Sequence, residues 1–292
     1  MNHLLTGKPE EIRALLDSVD TFLFDCDGVI WHGDNLIPNV AHVLERLREM
    51  GKRILFVSNN STKSRRQYLK KFTQLNIEAY VNEVFGSAYA AAYYIKHNLE
   101  LPDNKKVYIV GMSGIQEELD AEGIKHCGSS DDNENLTDMS EMSTIKNDPD
   151  VGAVLFGFDL DLNYKKLAKA FTYLQNPETH FLATNTDLTF PTKNAVYPGT
   201  GALLAALSTP LGRKPLVMGK PEQRMLDVIV DKYHLDRSRT CMVGDRLDTD
   251  ILFGQNGGMK TLLVLTGVTP AAGLDEQEIK ADFVIDSLGH LL

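Results

Sequence analysis

The sequence predicts an α/β fold built on a parallel sheet, and two observations carry that prediction. Short apolar runs alternate with amphipathic helical stretches along most of the chain. Four of the runs end in polar clusters: Asp25-Cys26-Asp27-Gly28, Ser58-Asn59-Asn60-Ser61-Thr62, Gly219-Lys220-Pro221 and the stretch from Gly244-Asp245 to Asp250. Ligands of open α/β sheets bind just beyond the carboxyl ends of the strands, so these polar ends are where chemistry is expected.

The elements follow in order. Residues 9–18 read as a short helix, with Pro9 early and Glu10 and Glu11 in the first turn. Thr21–Phe24 is a strand of the kind buried on both faces. A helix starts with Asn39 as its N-cap, sets Val40, Val43, Leu44 and Leu47 on one face and stops at Gly51. Lys52–Val57 is a second strand, followed by a basic helix with Lys63, Arg65 and Arg66. A helix over 87–99, a strand over 106–110 and a helix through Glu117–Leu119 come next. The stretch 129–150 is rich in Asp, Glu, Asn and Ser and reads as a mobile surface loop whose acidity is simple solvation. Strand 151–158, helix 164–174 and strand 180–183 resume the alternation. Gly199-Thr200-Gly201 opens a helix and is a turn into it rather than a nucleotide loop. Short strand 216–218, a helix to about Leu235, and strands 240–243, 260–265 and 282–285 complete the chain. The long interval between the second and third polar clusters has strands and helices of its own, which predicts an inserted domain.

At 292 residues the chain has room for one large or two moderate domains. With 43% hydrophobic and 24% charged residues it has the composition of an ordinary soluble protein. No apolar run approaches a membrane span, and the N-terminus lacks the basic start and apolar core of a signal peptide. A formal charge of −10 argues against nucleic acid as the main partner. Cys26, Cys127 and Cys241 lack metal-ligand spacing and read as reduced thiols of a cytoplasmic protein.

Burying two carboxylates at a strand end is costly, so a pair such as Asp25 and Asp27 suggests a metal site, an acid/base pair, or a nucleophile with its proton donor. Asp25 and Asp245 can each give a carboxylate oxygen to a hard divalent cation, with the main-chain carbonyl near Asp27 as a third. Ser58 and the amides after it can donate to phosphate oxygens, and Lys220 adds a point positive charge. Asp25 is then a nucleophile toward phosphorus, and Asp27 protonates the leaving oxygen. Each piece also has a plainer reading. Ser58 and Asn59 can cap the next helix, Lys220 can be an exposed turn lysine, and Asp248 and Asp250 can be helix-start charges. Asp250 is expected to support the ligands rather than join them, and Cys26 to be a packed thiol.

DCDGVIW, FVSNNST, GKP and VGDRLDTD, in that order, resemble the four motifs of the haloacid dehalogenase superfamily of aspartate-nucleophile phosphatases. With LLVLTGVT they resemble in particular the eukaryotic group of 4-nitrophenyl, 2-phosphoglycolate and pyridoxal phosphatases. The resemblance implies a Rossmann-like parallel-sheet core over 1–100 and 213–292, with an inserted α/β cap over 101–212 that selects substrate. It implies Asp25 as nucleophile and metal ligand, and Asp27 as acid/base whose main-chain carbonyl also binds Mg²⁺. Asp245 would be the remaining metal ligand, and Ser58, Asn59, Asn60 and Lys220 the phosphate-binding residues. Phe190 stands where the pyridoxal phosphatases carry a histidine in the loop Thr184–Pro191, which is expected to hang over the cleft. The expected activity is therefore Mg²⁺-dependent hydrolysis of small phosphorylated metabolites, 2-phosphoglycolate and 4-nitrophenyl phosphate ahead of pyridoxal phosphate. A phosphoprotein phosphatase, a pyridoxal phosphate phosphatase and a phospho-acceptor signalling domain are the alternatives; the last needs neither Asp27 nor a cap. Related caps dimerise, so a homodimer through the cap stays open.

Overall fold

The computed structural model describes residues 3–191 and 195–292, and the chain divides into two compact units. Met1–Ser58, Tyr68–Phe85 and Lys220–Leu292 form the first, Asn59–Gln67 and Gly86–Gly219 the second. The helix Ser87–His97, expected with the core segment 1–100, falls in the second unit, where it packs against the helix Ser113–Ala121.

The first unit is built on a six-stranded sheet in the order Phe283–Ile285, Lys260–Val264, Thr240–Gly244, Thr21–Phe24, Arg53–Ser58, Val84–Gly86. Thr21–Phe24 lies at the centre, parallel to Thr240–Gly244 on one side and Arg53–Ser58 on the other. All four of its residues are buried, as its apolar sequence requires. Phe22 and Phe24 join a buried cluster with Trp31, Phe56, Tyr68 and Phe72. Burying each such ring is worth roughly 2–3 kcal/mol of transfer free energy. Parallel pairing sends the ends of these three strands, and so Asp25, Ser58 and Asp245, to one edge of the sheet.

The helices arise where the periodicity puts them. Val40–Glu49 buries Val40, Val43, Leu44 and Leu47, and Gly51 ends the turn with φ +72°. Asn39 does stand at its N-cap, but with φ +64° and no capping hydrogen bond from its side chain. Downstream of Gly244, a π-turn over Leu247–Ile251 runs into the short helix Leu252–Asn256, an irregularity that periodicity does not signal.

The second unit has a five-stranded parallel sheet in the order Leu216–Val217, His180–Ala183, Val151–Phe156, Lys106–Val110, His126–Gly128. It also carries an antiparallel hairpin, Thr189–Pro191 with Val196–Pro198, which pairs Phe190 with Tyr197. The acidic stretch 129–150 holds two 3₁₀ turns, Ser129–Asp132 and Met139–Thr144. Solvation does not account for all its acids: Asp132 is buried, accepting from the Tyr108 hydroxyl at 2.9 Å and the Lys169 ammonium at 2.7 Å. Among the described residues no helix is long and apolar enough to cross a membrane.

Candidate active site

Asp25 follows the central strand directly, and its backbone N–H still donates to Val243 O, 2.9 Å away, as if the ladder continued. Its side chain is only 14% exposed. Lys220 enters from a different part of the chain and is 2% exposed, so it is no surface turn lysine. Its ammonium donates to Asp25 Oδ1 at 2.6 Å and to Val57 O at 2.8 Å, and lies 2.7 Å from Asp250 Oδ1. Burial alone would lower the Lys220 pKa; the Asp25 and Asp250 carboxylates more than reverse that and raise it.

The loop after Thr240–Gly244 supplies two further acids. Asp250 Oδ2 accepts from the backbone N–H groups of Asp245 and Arg246, each at 3.1 Å. That bond set holds the Asp245 turn. Asp248 is exposed and pairs with Arg246 at 2.8 Å. Asp245 Oδ2 accepts from Val268 N at 2.6 Å, and Asp245 O from Thr269 N at 3.1 Å. A Cβ on Gly267 would fall 1.9 Å from Asp245 Oδ2, and one on Gly28 2.7 Å from it. Gly28 also has φ +84°, a backbone conformation that excludes most side chains. The Thr266–Thr269 segment, with the Thr266 hydroxyl donating to Gly28 O at 2.6 Å, thus clasps both acidic loops. In the sequence this segment was legible only as part of a resemblance, because backbone donors leave no residue-type signal.

One carboxylate oxygen from each of Asp25, Asp245 and Asp250 lies within 4.8 Å of the others. Burial raises the Asp25 pKa well above the ordinary range, and Asp250 and Asp245 push it further up against the opposing Lys220 charge. Burial followed by the Asp250 charge pushes Asp245 up to about 7. The three carboxylates thus crowd one another beside the Lys220 ammonium, with the Arg246 charge also acting on Asp245. That donor set, hard oxygens in a buried and anionic place, fits a hard divalent cation.

Asp27 lies two residues on and is exposed, with Oδ1 accepting from the indole Nε1 of Trp31 at 2.9 Å. Ser58 is buried and shares a hydrogen bond with the Tyr68 hydroxyl at 2.9 Å. Cys26 is packed at 0% exposure, and burial raises its thiol pKa well above the usual value. Asn59 and Asn60 belong to the second unit. The Asn59 amide donates to Asp187 Oδ2 at 3.0 Å, and Asn60 Oδ1 accepts from the N–H and hydroxyl of Thr62 at 3.0 and 2.6 Å. Phe190 packs edge-on against Phe158, 5.2 Å between centroids, and beside Tyr197.

Family models place the chain independently of this geometry. One for haloacid dehalogenase-like hydrolases matches residues 22–125, and a second for HAD-hydrolase-like proteins matches 217–291. The chain belongs to the haloacid dehalogenase-like hydrolase family. Within it, the likeness is to phosphatases. Chloroplastic phosphoglycolate phosphatase 1A of Arabidopsis thaliana is 45% identical over 99% of this chain and 81% of that protein. A 4-nitrophenylphosphatase of Schizosaccharomyces pombe is 44% identical over 98% and 97%. The solved structure of a glycerol phosphate phosphatase from Mycobacterium tuberculosis in complex with magnesium matches with a TM-score of 0.79 and 28% identity, covering 95% and 77% of the two chains.

Proposed function

We propose that the protein hydrolyses small phosphate monoesters, 2-phosphoglycolate and 4-nitrophenyl phosphate among them, through an aspartyl-phosphate on Asp25. The observation that carries this reading is the Asp25 carboxylate: held by Lys220 at 2.6 Å, it sits at the end of the central strand beside two more acids. An Asp25 oxygen attacks phosphorus, the ester P–O bond breaks, and Asp27 gives its proton to the leaving oxygen. Water then attacks the phosphorus of the aspartyl-phosphate, and Asp27 takes its proton as the Asp25–phosphorus bond breaks. Ser58, Asn59, Asn60 and Lys220 bind the phosphoryl oxygens in this reading. Asp25, Asp245 and the main-chain carbonyl of Asp27 would hold Mg²⁺, which when bound offsets repulsion between the anionic nucleophile and the anionic substrate. The solved complex of the M. tuberculosis phosphatase with magnesium supports a divalent cation at such a site.

Phe190, aromatic and without a hydrogen-bonding group, supports small and aryl esters over pyridoxal phosphate. Three cysteines without disulfides support a reducing compartment such as the cytoplasm. Leu188, Val196 and Tyr197, exposed on and beside the hairpin, support a homodimer through the second unit. The test of function is kcat/KM over phosphoglycolate, 4-nitrophenyl phosphate, glycerol phosphate, pyridoxal phosphate and a phosphopeptide, each with EDTA and after Mg²⁺ is restored. Fast turnover of the small esters, lost with EDTA and regained with Mg²⁺, is expected; preference for the phosphopeptide, or full activity in EDTA, overturns the reading.

A further inference from the structure

We propose that Trp31 is a positioning residue for proton transfer. Its indole N–H holds Oδ1 of Asp27 so that Oδ2 carries the proton to and from the reacting oxygen. The inference rests on the reading of Asp27 as acid/base.

The two residues are in contact because the chain doubles back between them. Cys26 O accepts from Ile30 N at 2.8 Å and Trp31 N at 3.2 Å, and Gly28 N donates to Trp31 O at 2.8 Å. Asp27 and Trp31 form a bridge pair, and the indole Nε1 reaches Asp27 Oδ1 at 2.9 Å. The partners contrast in setting. Asp27 is exposed, whereas Trp31 is 0% exposed. Phe72 meets the ring edge-on at 5.0 Å, Tyr68 stacks at 6.4 Å, and the Lys71 ammonium lies 4.2 Å from the ring centroid.

An exposed carboxyl group rotates among rotamers and can present either oxygen. A general acid must hold its proton in line with one leaving oxygen, and misplacement by about 1 Å costs on the order of 10²-fold. The indole has a single donor and no acceptor, so it can bond only an acceptor oxygen. Bonded to Oδ1, it is compatible with Asp27 both as carboxylate and as acid, the proton of the acid then sitting on Oδ2. Because the ring is fixed by its own packing, the position it gives Asp27 is fixed too. The competing account is that Asp27 merely satisfies a buried indole N–H.

Leaving groups separate the two accounts. 4-Nitrophenolate departs as a stable anion and needs little protonation; the alkoxide of phosphoglycolate needs it. The experiment compares kcat/KM for both esters in wild type, Trp31→Phe, Asp27→Asn and the double variant. Phenylalanine keeps an aromatic ring and loses the N–H. Trp31→Phe is expected to lower kcat/KM for phosphoglycolate about tenfold and for 4-nitrophenyl phosphate less than about twofold, part of the 10²–10⁴-fold that general acid catalysis supplies. In the Asp27→Asn background it should lower neither further. Trp31 is the sole tryptophan. Biosynthetic replacement by its benzothienyl analogue, which keeps the ring shape without the N–H, therefore gives the same comparison if Trp31→Phe folds poorly. Equal losses on both esters, or a further loss in the Asp27→Asn background, overturn the inference. If Asp27→Asn itself slows both esters equally, the acid reading falls and the inference with it. A selective Asp27→Asn beside an unselective Trp31→Phe overturns the inference alone.

Discussion

Two buried lysines of this protein face carboxylates, and the charge balance around them differs. In the second unit, the Lys166 ammonium lies 2.7 Å from Asp159, the two side chains being 1% and 3% exposed. Nearby, Asp132 meets Lys169 at 2.7 Å and Lys165 at 3.4 Å, together with the Tyr108 hydroxyl. Burial pushes the Asp132 pKa up, but the lysines and the tyrosine outweigh it and hold it below its ordinary value. In the first unit, Lys220 confronts Asp25 and Asp250, Asp245 lies beside them, and Asp25 and Asp245 are raised despite the Lys220 and Arg246 charges. A balanced cluster holds a fold together. A cluster short of positive charge is destabilised until a cation arrives, and that shortage marks a place built for something besides folding.

The largest test of this contrast removes one acid from each side. Asp25→Asn should reduce turnover by several orders of magnitude, since the nucleophile is gone. The same change should leave the metal-free melting temperature unchanged or higher, because it relieves repulsion among three acids. Lys166→Met should do the reverse. It strands Asp159 without its cation, at a cost of about 3–5 kcal/mol, while kcat per folded molecule stays near wild type. Steady-state rates and denaturant titrations of both variants decide the matter. A strongly destabilised Asp25→Asn, or an inactive but stable Lys166→Met, would show that charge balance does not separate the two roles.

Acid titration sharpens the comparison, because the two clusters have opposite signs. Asp245 is raised from 3.8 to about 7. Its contribution to stability is fully present below 3.8 and is lost as pH rises toward 7 and through it. Asp132 is lowered, so its contribution is present above the ordinary 3.8 and is lost as pH falls through its own lower value. A cation bound at Asp25 and Asp245 competes with protons. The rise in melting temperature on adding Mg²⁺ should therefore grow from pH 5 to pH 8 and be small in Asp245→Asn. An increment independent of pH would mean that the ion does not bind at these acids.

What the sequence could and could not reveal follows the same physics. Apolar runs and one-sided helices announced the strands around Asp25 and the face of Val40–Glu49, because burial acts on residue type. The polar ends of strands announced Asp25, Asp245 and Lys220; parallel pairing brings the first two together from far along the chain, while Lys220 follows a strand of the other sheet. Geometry made by backbone atoms stayed hidden: the Val268 N–H on Asp245, the Gly267 approach, and the turn that returns Trp31 to Asp27. The burial of Asp132 was masked by the polarity of its neighbours. Asn59 and Asn60 show the converse case, with side chains bonded within the second unit to Asp187 and Thr62.

The smallest expected effect concerns Phe190, whose ring packs against Phe158 and Tyr197. Phe190→His should raise the ratio of pyridoxal phosphate to phosphoglycolate turnover only a few-fold, since one hydrogen bond is typically worth about 1 kcal/mol. An unmoved ratio of kcat/KM values would remove Phe190 from substrate choice.

The central claim, that the acid-rich end of the central strand performs phosphoryl transfer, is tested most directly by trapping the phosphorylated enzyme. Asp27→Asn protein mixed with ³²P-labelled 4-nitrophenyl phosphate forms the acyl phosphate readily, since this leaving group needs little acid, and hydrolyses it slowly. Acid quenching, proteolysis and mass spectrometry should place the phosphoryl group on Asp25, with no label in the Asp25→Asn, Asp27→Asn double variant. Label on another residue, or label that survives the loss of Asp25, would contradict the account.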